Sequence, residues 1–170
     1  MDLQPDARKL LRDGMKPREF IDALLAKKQY IAGIEFVAHT LPPREGIWWG
    51  CLCLQHACGS ALTPQDRAAA VAAVQWVLQP GDKTRAAAKF QGEAAGPASV
   101  AGHLAMGAYQ AGPGIASPGG PAIPIPPFAT AKSVANAVKL ACTKSDPAKI
   151  IETQKLFVEL GITVAEGRLI

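Results

Sequence analysis

The side chains best suited to metal chemistry in this chain are four cysteines and three histidines. Cys51, Cys53 and Cys58 lie in one apolar run that we predict to be helical, where residues two apart point about 200° apart. Cys51 and Cys58 share a face, but they are about 10 Å apart along the axis, too far for zinc–sulfur bonds of about 2.3 Å. We therefore expect no metal and no cofactor, and we interpret the cysteines, Cys142 included, as buried thiols.

A cysteine and a histidine could also act as the nucleophile and the base of a small enzyme. His39 and His56 fall near predicted helix C-termini, where the helix dipole stabilises a cation. The spacing places none of the histidines, His103 included, beside a thiol. The chain also lacks a G-x-S-x-G motif and a phosphate-binding glycine loop. We assign no catalytic residues and predict a protein that is not an enzyme, and we keep two alternatives: a small Cys/His-dependent enzyme and a helical pocket that binds an apolar ligand.

Two stretches have the composition of a surface that binds another protein. The first contains Arg44, Trp48 and Trp49, and tryptophan and arginine are enriched at binding hot spots. Adjacent residues on a helix point about 100° apart, so one tryptophan can fill the core while the other faces sideways. We predict that these three residues bind a partner, and the alternative is that they only pack the core.

The second stretch, residues 94–131, contains no Asp, Glu, Lys or Arg. Near its end, Ile123, Ile125 and Phe128 are interleaved with prolines, which makes them hard to bury completely in a loop. Proline-rich segments lose little entropy on binding, so we predict a docking ridge for another protein. The alternative is a strap that lies across the outside of the helices.

Helical spacing of apolar residues predicts an all-α fold that positions these candidates. We expect about seven or eight helices in a compact array of helical hairpins, part bundle and part solenoid. Residues 1–15 are expected to form an N-terminal arm and residues 16–170 a single domain. The helix from Leu41 to Gly59 is apolar on almost every side, which predicts that it is the buried central helix. Pro42 and Pro43 suit its first turn.

The last part of the chain gives weaker signals. The proline- and glycine-rich stretch Gly112–Pro127 precedes the last two helices, and we expect a loop without helix or sheet pairing there, because proline breaks helices and cannot donate to a sheet ladder. Its end, Ile123–Phe128, is expected to be extended, polyproline-like chain. We expect the last helix to end at Leu160, with Gly161 as its stop. The best strand signal is a short alternation in Gly161–Val164, and it is weak.

Charge and hydropathy exclude several classes of partner. The net charge of +4 is mild, and no basic run or basic–aromatic patch accompanies it, so we expect no nucleic-acid partner. No apolar run reaches the roughly 18 residues that a membrane span needs. The charged start of the chain lacks the apolar core of a signal peptide. We therefore expect a cytoplasmic protein with no membrane partner.

Three runs of the sequence together resemble a bacterial family of uncharacterised small helical proteins: PREFIDALLAKKQYIAGIEFVAHTLPPREGIWWGCLC, LTPQDRAAAVAAVQWVLQP and GGPAIPIPPF. The resemblance covers about residues 16–165. That family is similar to accessory proteins encoded beside type VI secretion genes, near PAAR spike-tip proteins and effector chaperones.

The resemblance implies a non-enzymatic adaptor or co-chaperone. Such a protein would bind an effector chaperone, an effector or another secretion component, and would help to load the effector onto the PAAR spike. It implies no catalytic residues. Arg44, Glu45, Trp48 and Trp49 match the most recognisable motif of the family, which could equally mark the fold.

Overall fold

The computed structural model describes residues 4–112, 114–117 and 120–168, with the backbone alone described for 115–117 and 120–123. The predicted all-α fold is confirmed. The helices of the described residues, apart from a short 3-10 turn at Pro147–Lys149, are α1 (Pro5–Arg8), α2 (Pro17–Ala26), α3 (Tyr30–Thr40), α4 (Pro43–Cys58), α5 (Pro64–Leu78), α6 (Asp82–Ala95), α7 (Val100–Gln110), α8 (Ala129–Cys142) and α9 (Ile150–Ala165).

Prolines and short polar side chains determine where most of these helices begin. Pro17, Pro43 and Pro64 occupy first-turn positions of α2, α4 and α5, where a missing N–H costs nothing. The Thr63 hydroxyl caps α5 by accepting a hydrogen bond from the Asp66 amide at 3.1 Å. Helix α7 starts at Val100 and not at Pro97, because the Ser99 hydroxyl caps it by accepting a hydrogen bond of 2.9 Å from the Gly102 amide.

Helix α4 lies at the centre of the core, as its composition predicts. It packs against α5, α7, α8 and α9, and Ile47, Trp49 and Cys53 have no exposed surface. The indole Nε1 of Trp49 donates a hydrogen bond of 2.8 Å to the carbonyl oxygen of Phe157 in α9. This bond joins the central helix to the last one inside the core.

The prediction that the last helix stops at Gly161 is wrong, because α9 continues to Ala165. Gly161 lies in the interior of the helix and is buried. A Cβ atom there would lie 2.5 Å from Val37 Cγ1 and 3.0 Å from Trp49 Cε2. The glycine therefore allows α9 to approach α3 and α4 closely, and the weak alternation of residues 161–164 belongs to a helix.

The proline- and glycine-rich stretch contains two short strands. Strands β1 (Ile115–Ser117) and β2 (Gly120–Ile123) form an antiparallel pair, so the prediction of an unpaired loop is wrong for them. Each strand of a two-stranded ribbon has only one neighbour, so half of its N–H groups need no partner and proline is tolerated. Residues 124–126 have no regular secondary structure.

The N-terminal arm contributes to the core through α1. Ala7 in this short helix has no exposed surface, and Leu10 after it packs against the core as a partly buried side chain. These contacts connect α1 and Leu10 to the core, and the division between an arm of residues 1–15 and a domain of residues 16–170 stays a prediction.

The close approach at Gly161 gives a stability prediction. We expect Gly161→Val to lower the free energy of unfolding by about 2 kcal/mol or more beyond the effect of Glu159→Val, because the added side chain meets Val37 and Trp49. Glu159 lies on the exposed side of the same helix, so Glu159→Val controls for the helix propensity of valine. Urea denaturation followed by circular dichroism measures both, and equal losses would contradict the packing role.

Candidate functional site

The two adjacent tryptophans have different environments. Trp49 has no exposed surface, so it cannot contact a partner in this fold, and its assignment to the partner-binding set is wrong. Trp48 is half-buried and packs against the edge of the core. The expectation that one tryptophan fills the core while the other faces sideways is confirmed.

Arg44 is held in place beside Trp48. Its Nε donates a hydrogen bond of 2.6 Å to the carbonyl oxygen of Val77, in the last turn of α5. A cation is favourable at that end of a helix. A cleft of about 220 Å³, which we name the tryptophan cleft, is lined by Arg44, Glu45, Trp48, Val77 and Leu78. Leu78 has 67% of its surface exposed.

The predicted docking ridge borders a second cavity. Ile125 is half-buried, Phe128 is 60% exposed, and the side chain of Ile123 lies outside the described residues. Phe128 precedes α8 with a left-handed backbone, at φ 61°, which is an outlier for a bulky residue. Ile125 and Phe128 line a cavity of about 360 Å³. Its other walls include the end of α3, the start of α4 and the end of α7.

We name this second cavity the histidine cavity, because His39 of α3 lies in its wall. The imidazole is 8% exposed. Its Nδ1 lies 2.8 Å from the carbonyl oxygen of Glu35, to which it donates. Its Nε2 is buried and has no hydrogen-bond partner in the part of the chain that the structure describes. The ring centroid lies 5.7 Å from that of Phe128.

Charged groups lie behind the imidazole. The carboxylate of Glu35 approaches Nδ1 to 4.0 Å and also forms an ion pair with Lys139 of α8. The sequence pattern correctly predicts that His39 lies at a helix C-terminus, but it gives no sign of the cavity. No local pattern could have revealed it, because its other walls, such as Gln110 and Thr130, are far away in the sequence.

The structure brings the two candidate surfaces to the same helix end. Pro43 and Gly46 line the histidine cavity, whereas Arg44 and Trp48 line the tryptophan cleft. The first turns of α4 therefore separate the two concave surfaces. The role of their residues in partner binding stays a prediction.

Arg85 holds the beginning of the proline- and glycine-rich stretch. Its Nε donates to the carbonyl oxygen of Tyr109 at 3.0 Å, and a terminal nitrogen donates to that of Gly114 at 2.9 Å. Lys89 and Arg85 both lie over the Tyr109 ring, at 5.2 and 5.9 Å from its centroid. These contacts fix the point from which the stretch leaves α7.

The cysteines lie away from both surfaces. Burial raises the pKa of Cys51 to about 12, that of Cys142 to about 11 and that of Cys53 well above its ordinary value. Cys58 is half-buried, and burial raises its pKa as well. Within the described ranges, no cysteine lines either surface, and no three His, Cys, Asp or Glu side chains are grouped to hold a metal ion.

Comparison with protein families identifies the relatives of this chain. A model of a family of unknown function, DUF6931, matches residues 20–165, and the chain belongs to that family. No curated protein matches the chain, and no solved structure does. Among the helices that the structure describes, none combines the length and the apolar character that crossing a membrane requires.

The environments of the cysteines predict their reactivity. At about pH 8, where an unperturbed thiol begins to ionise, we expect iodoacetamide to alkylate Cys58 first. Cys51, Cys53 and Cys142 should react only after unfolding, because they are buried and their pKa values are raised. Peptide mass spectrometry with and without urea measures this order. Rapid alkylation of Cys53 in the native protein would contradict it.

The same burial predicts a loss of stability in alkali. The pKa of Cys51 rises from 9.0 to about 12 on folding, so the native state holds this proton more tightly than the unfolded state. The stability that the protonated Cys51 thiol contributes to the native state is complete below pH 9, and it is lost as the pH rises towards 12. We expect the stability difference between wild type and Cys51→Ala to shrink across this window in urea denaturation. A constant difference would show that Cys51 does not titrate with folding.

Proposed function

We propose, from the membership of the chain in this family and from the two surfaces beside α4, that it is a non-enzymatic adaptor that binds another protein. The observation that carries the proposal is the convergence of Arg44, Trp48 and Phe128 around one helix end. Residues that are remote in sequence form neighbouring concave surfaces there. Apolar side chains at their rims offer area that a partner can bury.

The tryptophan cleft supplies a pre-ordered anchor. The hydrogen bond to Val77 already restricts Arg44, so less side-chain entropy is lost when a partner binds. The exposed Leu78 provides apolar area on the opposite wall. Arg44 is exposed and Trp48 is half-buried, and arginine and tryptophan are residue types that dominate binding energies at interfaces.

Phe128 supplies a second apolar contact. Its left-handed backbone is costly for a residue with a side chain, by about 1–2 kcal/mol, yet most of its ring faces solvent. Backbone strain of this kind clusters at functional sites. Contact with a partner would use the exposed ring, together with Ile125 beside it.

The resemblance of the sequence motifs to type VI secretion accessory proteins supports a narrower proposal. On that basis the partner is an effector chaperone, an effector or a spike component, and the protein is a cytoplasmic co-chaperone that helps to load the effector onto the PAAR spike. The remoteness of the thiols from His39 supports a role without catalysis.

We expect the purified protein to bind at least one of three type VI secretion components: an effector chaperone, an effector and a spike protein. Trp48→Ala and Phe128→Gly should each weaken this binding by about tenfold or more, because truncating a hot-spot side chain costs that much. Phe128→Gly also relieves the left-handed backbone, so it should not destabilise the fold. Isothermal titration calorimetry measures the affinities.

The matched control is Phe90→Ala. Phe90 is an aromatic side chain on α6 that is 69% exposed and lines neither surface. The Phe90→Ala substitution should leave the affinity for the partner unchanged. Failure of the wild type to bind any of the three proteins would refute the secretion role, and equal binding by all variants would refute the assigned surface.

A further inference from the structure

The wall of the histidine cavity contains a buried nitrogen atom, Nε2 of His39, whose hydrogen-bonding capacity is unused within the described residues. Nδ1 of His39 is hydrogen-bonded to its own helix, so Nε2 at the far end of the ring is directed away from that helix. Nε2 has no partner within the described residues although the side chain is more than nine-tenths buried. A buried polar atom that lacks a partner is unfavourable, and such sites in native proteins call for an explanation.

The first turn of α8 brings further polar groups to the same cavity. Ala129, Thr130 and Ala131 all line it. The backbone amides of Thr130 and Ala131 donate to no carbonyl or side-chain oxygen in the described chain, and Phe128 offers no side-chain cap. The turn contains no acidic residue. Unpaired N–H groups at the positive end of a 14-residue helix bind anions.

The charges around the cavity limit the kind of anion. Its described walls contain no Lys, Arg, Asp or Glu. Lys139 and Glu35, behind the ring, are already paired with each other. His39 is the one side chain of these described walls that can carry a positive charge, and it lies in the last turn of α3, where a cation is favourable. This arrangement matches one negative charge and falls short of the nearly two charges on a phosphate.

We propose that the histidine cavity binds a carboxylate attached to a small apolar group. The amides of Thr130 and Ala131 and the Nε2–H of His39 donate to the carboxylate, while Leu41, Ile125 and Val134 contact the apolar group. A volume of about 360 Å³ is within the range of small-ligand sites. The Phe128 ring lies beside the imidazole, with 5.7 Å between the ring centroids, and would contact a bound ligand at the edge of the cavity.

The test uses the isolated protein and small probes, so its result does not depend on the adaptor role. Isovalerate should shift the amide resonances of Thr130 and Ala131 and the ring nitrogens of His39 in two-dimensional NMR. Isovaleramide, which has the same shape but no charge, should not, and inorganic phosphate should bind about tenfold more weakly or worse. No shift with isovalerate or with the peptide below would overturn the proposal.

The carboxylate could belong to a free acid or to the end of a polypeptide. N-acetyl-Ala-Leu with a free C-terminus, compared with its C-terminal amide, separates these sources. Tighter binding of the peptide acid than of isovalerate identifies a chain terminus as the ligand, and the reverse identifies a small acid. Both results support a carboxylate site, whereas equal binding of the peptide acid and its amide would count against it.

Two substitutions test the assigned donors. His39→Gln should weaken isovalerate binding about ten- to hundredfold, because it removes a charge-assisted hydrogen bond. Ala131→Glu places a carboxylate in the first turn, where it favours the helix, so it should abolish binding without unfolding the protein. Ala131→Gln is its neutral control and should retain binding.

His56→Gln provides the matched control for the imidazole, because His56 is an exposed histidine at the end of α4 that does not line the cavity. It should bind isovalerate like the wild type. Unchanged affinity of His39→Gln would overturn the role of His39, and unchanged affinity of Ala131→Glu would remove the helix terminus from the site.

Discussion

The contact of Trp49 with α9 is the constraint from which the arrangement of this protein follows. The indole is enclosed in the core, donates to the Phe157 carbonyl oxygen at 2.8 Å and lies against Gly161. Any larger side chain at Gly161 would force α9 away from α3 and α4. With Trp49 turned inward, its neighbour Trp48 must point about 100° around the helix, towards the edge of the core.

With this orientation, two parts of α4 have different structural roles. Its middle is a buried support, whereas its first turns reach the surface, with Pro43 and Gly46 on the side of the histidine cavity and Arg44 on the side of the tryptophan cleft. Two arginines fix the surroundings: Arg44 binds the end of α5, and Arg85 binds the chain where it leaves α7. The surfaces are therefore rigidly related to the core.

Sequence reasoning succeeds where the information is local. The first-turn prolines and the Thr63 cap specify helix starts by themselves. The proline ring already has a helical φ, and the Asp66 amide that Thr63 caps lies only three residues away. Gly161 shows the limit. A glycine that ends a helix and a glycine that admits a neighbouring helix look alike in sequence, and the difference lies in Val37 and Trp49, which are more than a hundred positions away.

The candidate site was predictable to a similar extent. Tryptophan, arginine and exposed apolar residues are recognisable by type, so Arg44, Trp48 and Phe128 could be named in advance, although only coordinates show that they flank one helix end. Which tryptophan is buried follows from the packing of α9. The cavity beside His39 depends on the meeting of four segments. The strand pair between them contains Pro121, a residue type that argues against pairing.

Two unfavourable features coincide at the junction of α3 and α8. The unpartnered Nε2 of His39 and the left-handed backbone of Phe128 lie on either side of one ring contact. Each costs about 1–3 kcal/mol, and a domain has only about 5–15 kcal/mol of net stability. Elsewhere in the described chain, Lys28 is the other non-glycine residue with positive φ. Retention of both costs at one cavity fits binding there better than packing alone, since glycine at position 128 would remove the backbone strain and an apolar side chain at position 39 would remove the unpaired nitrogen.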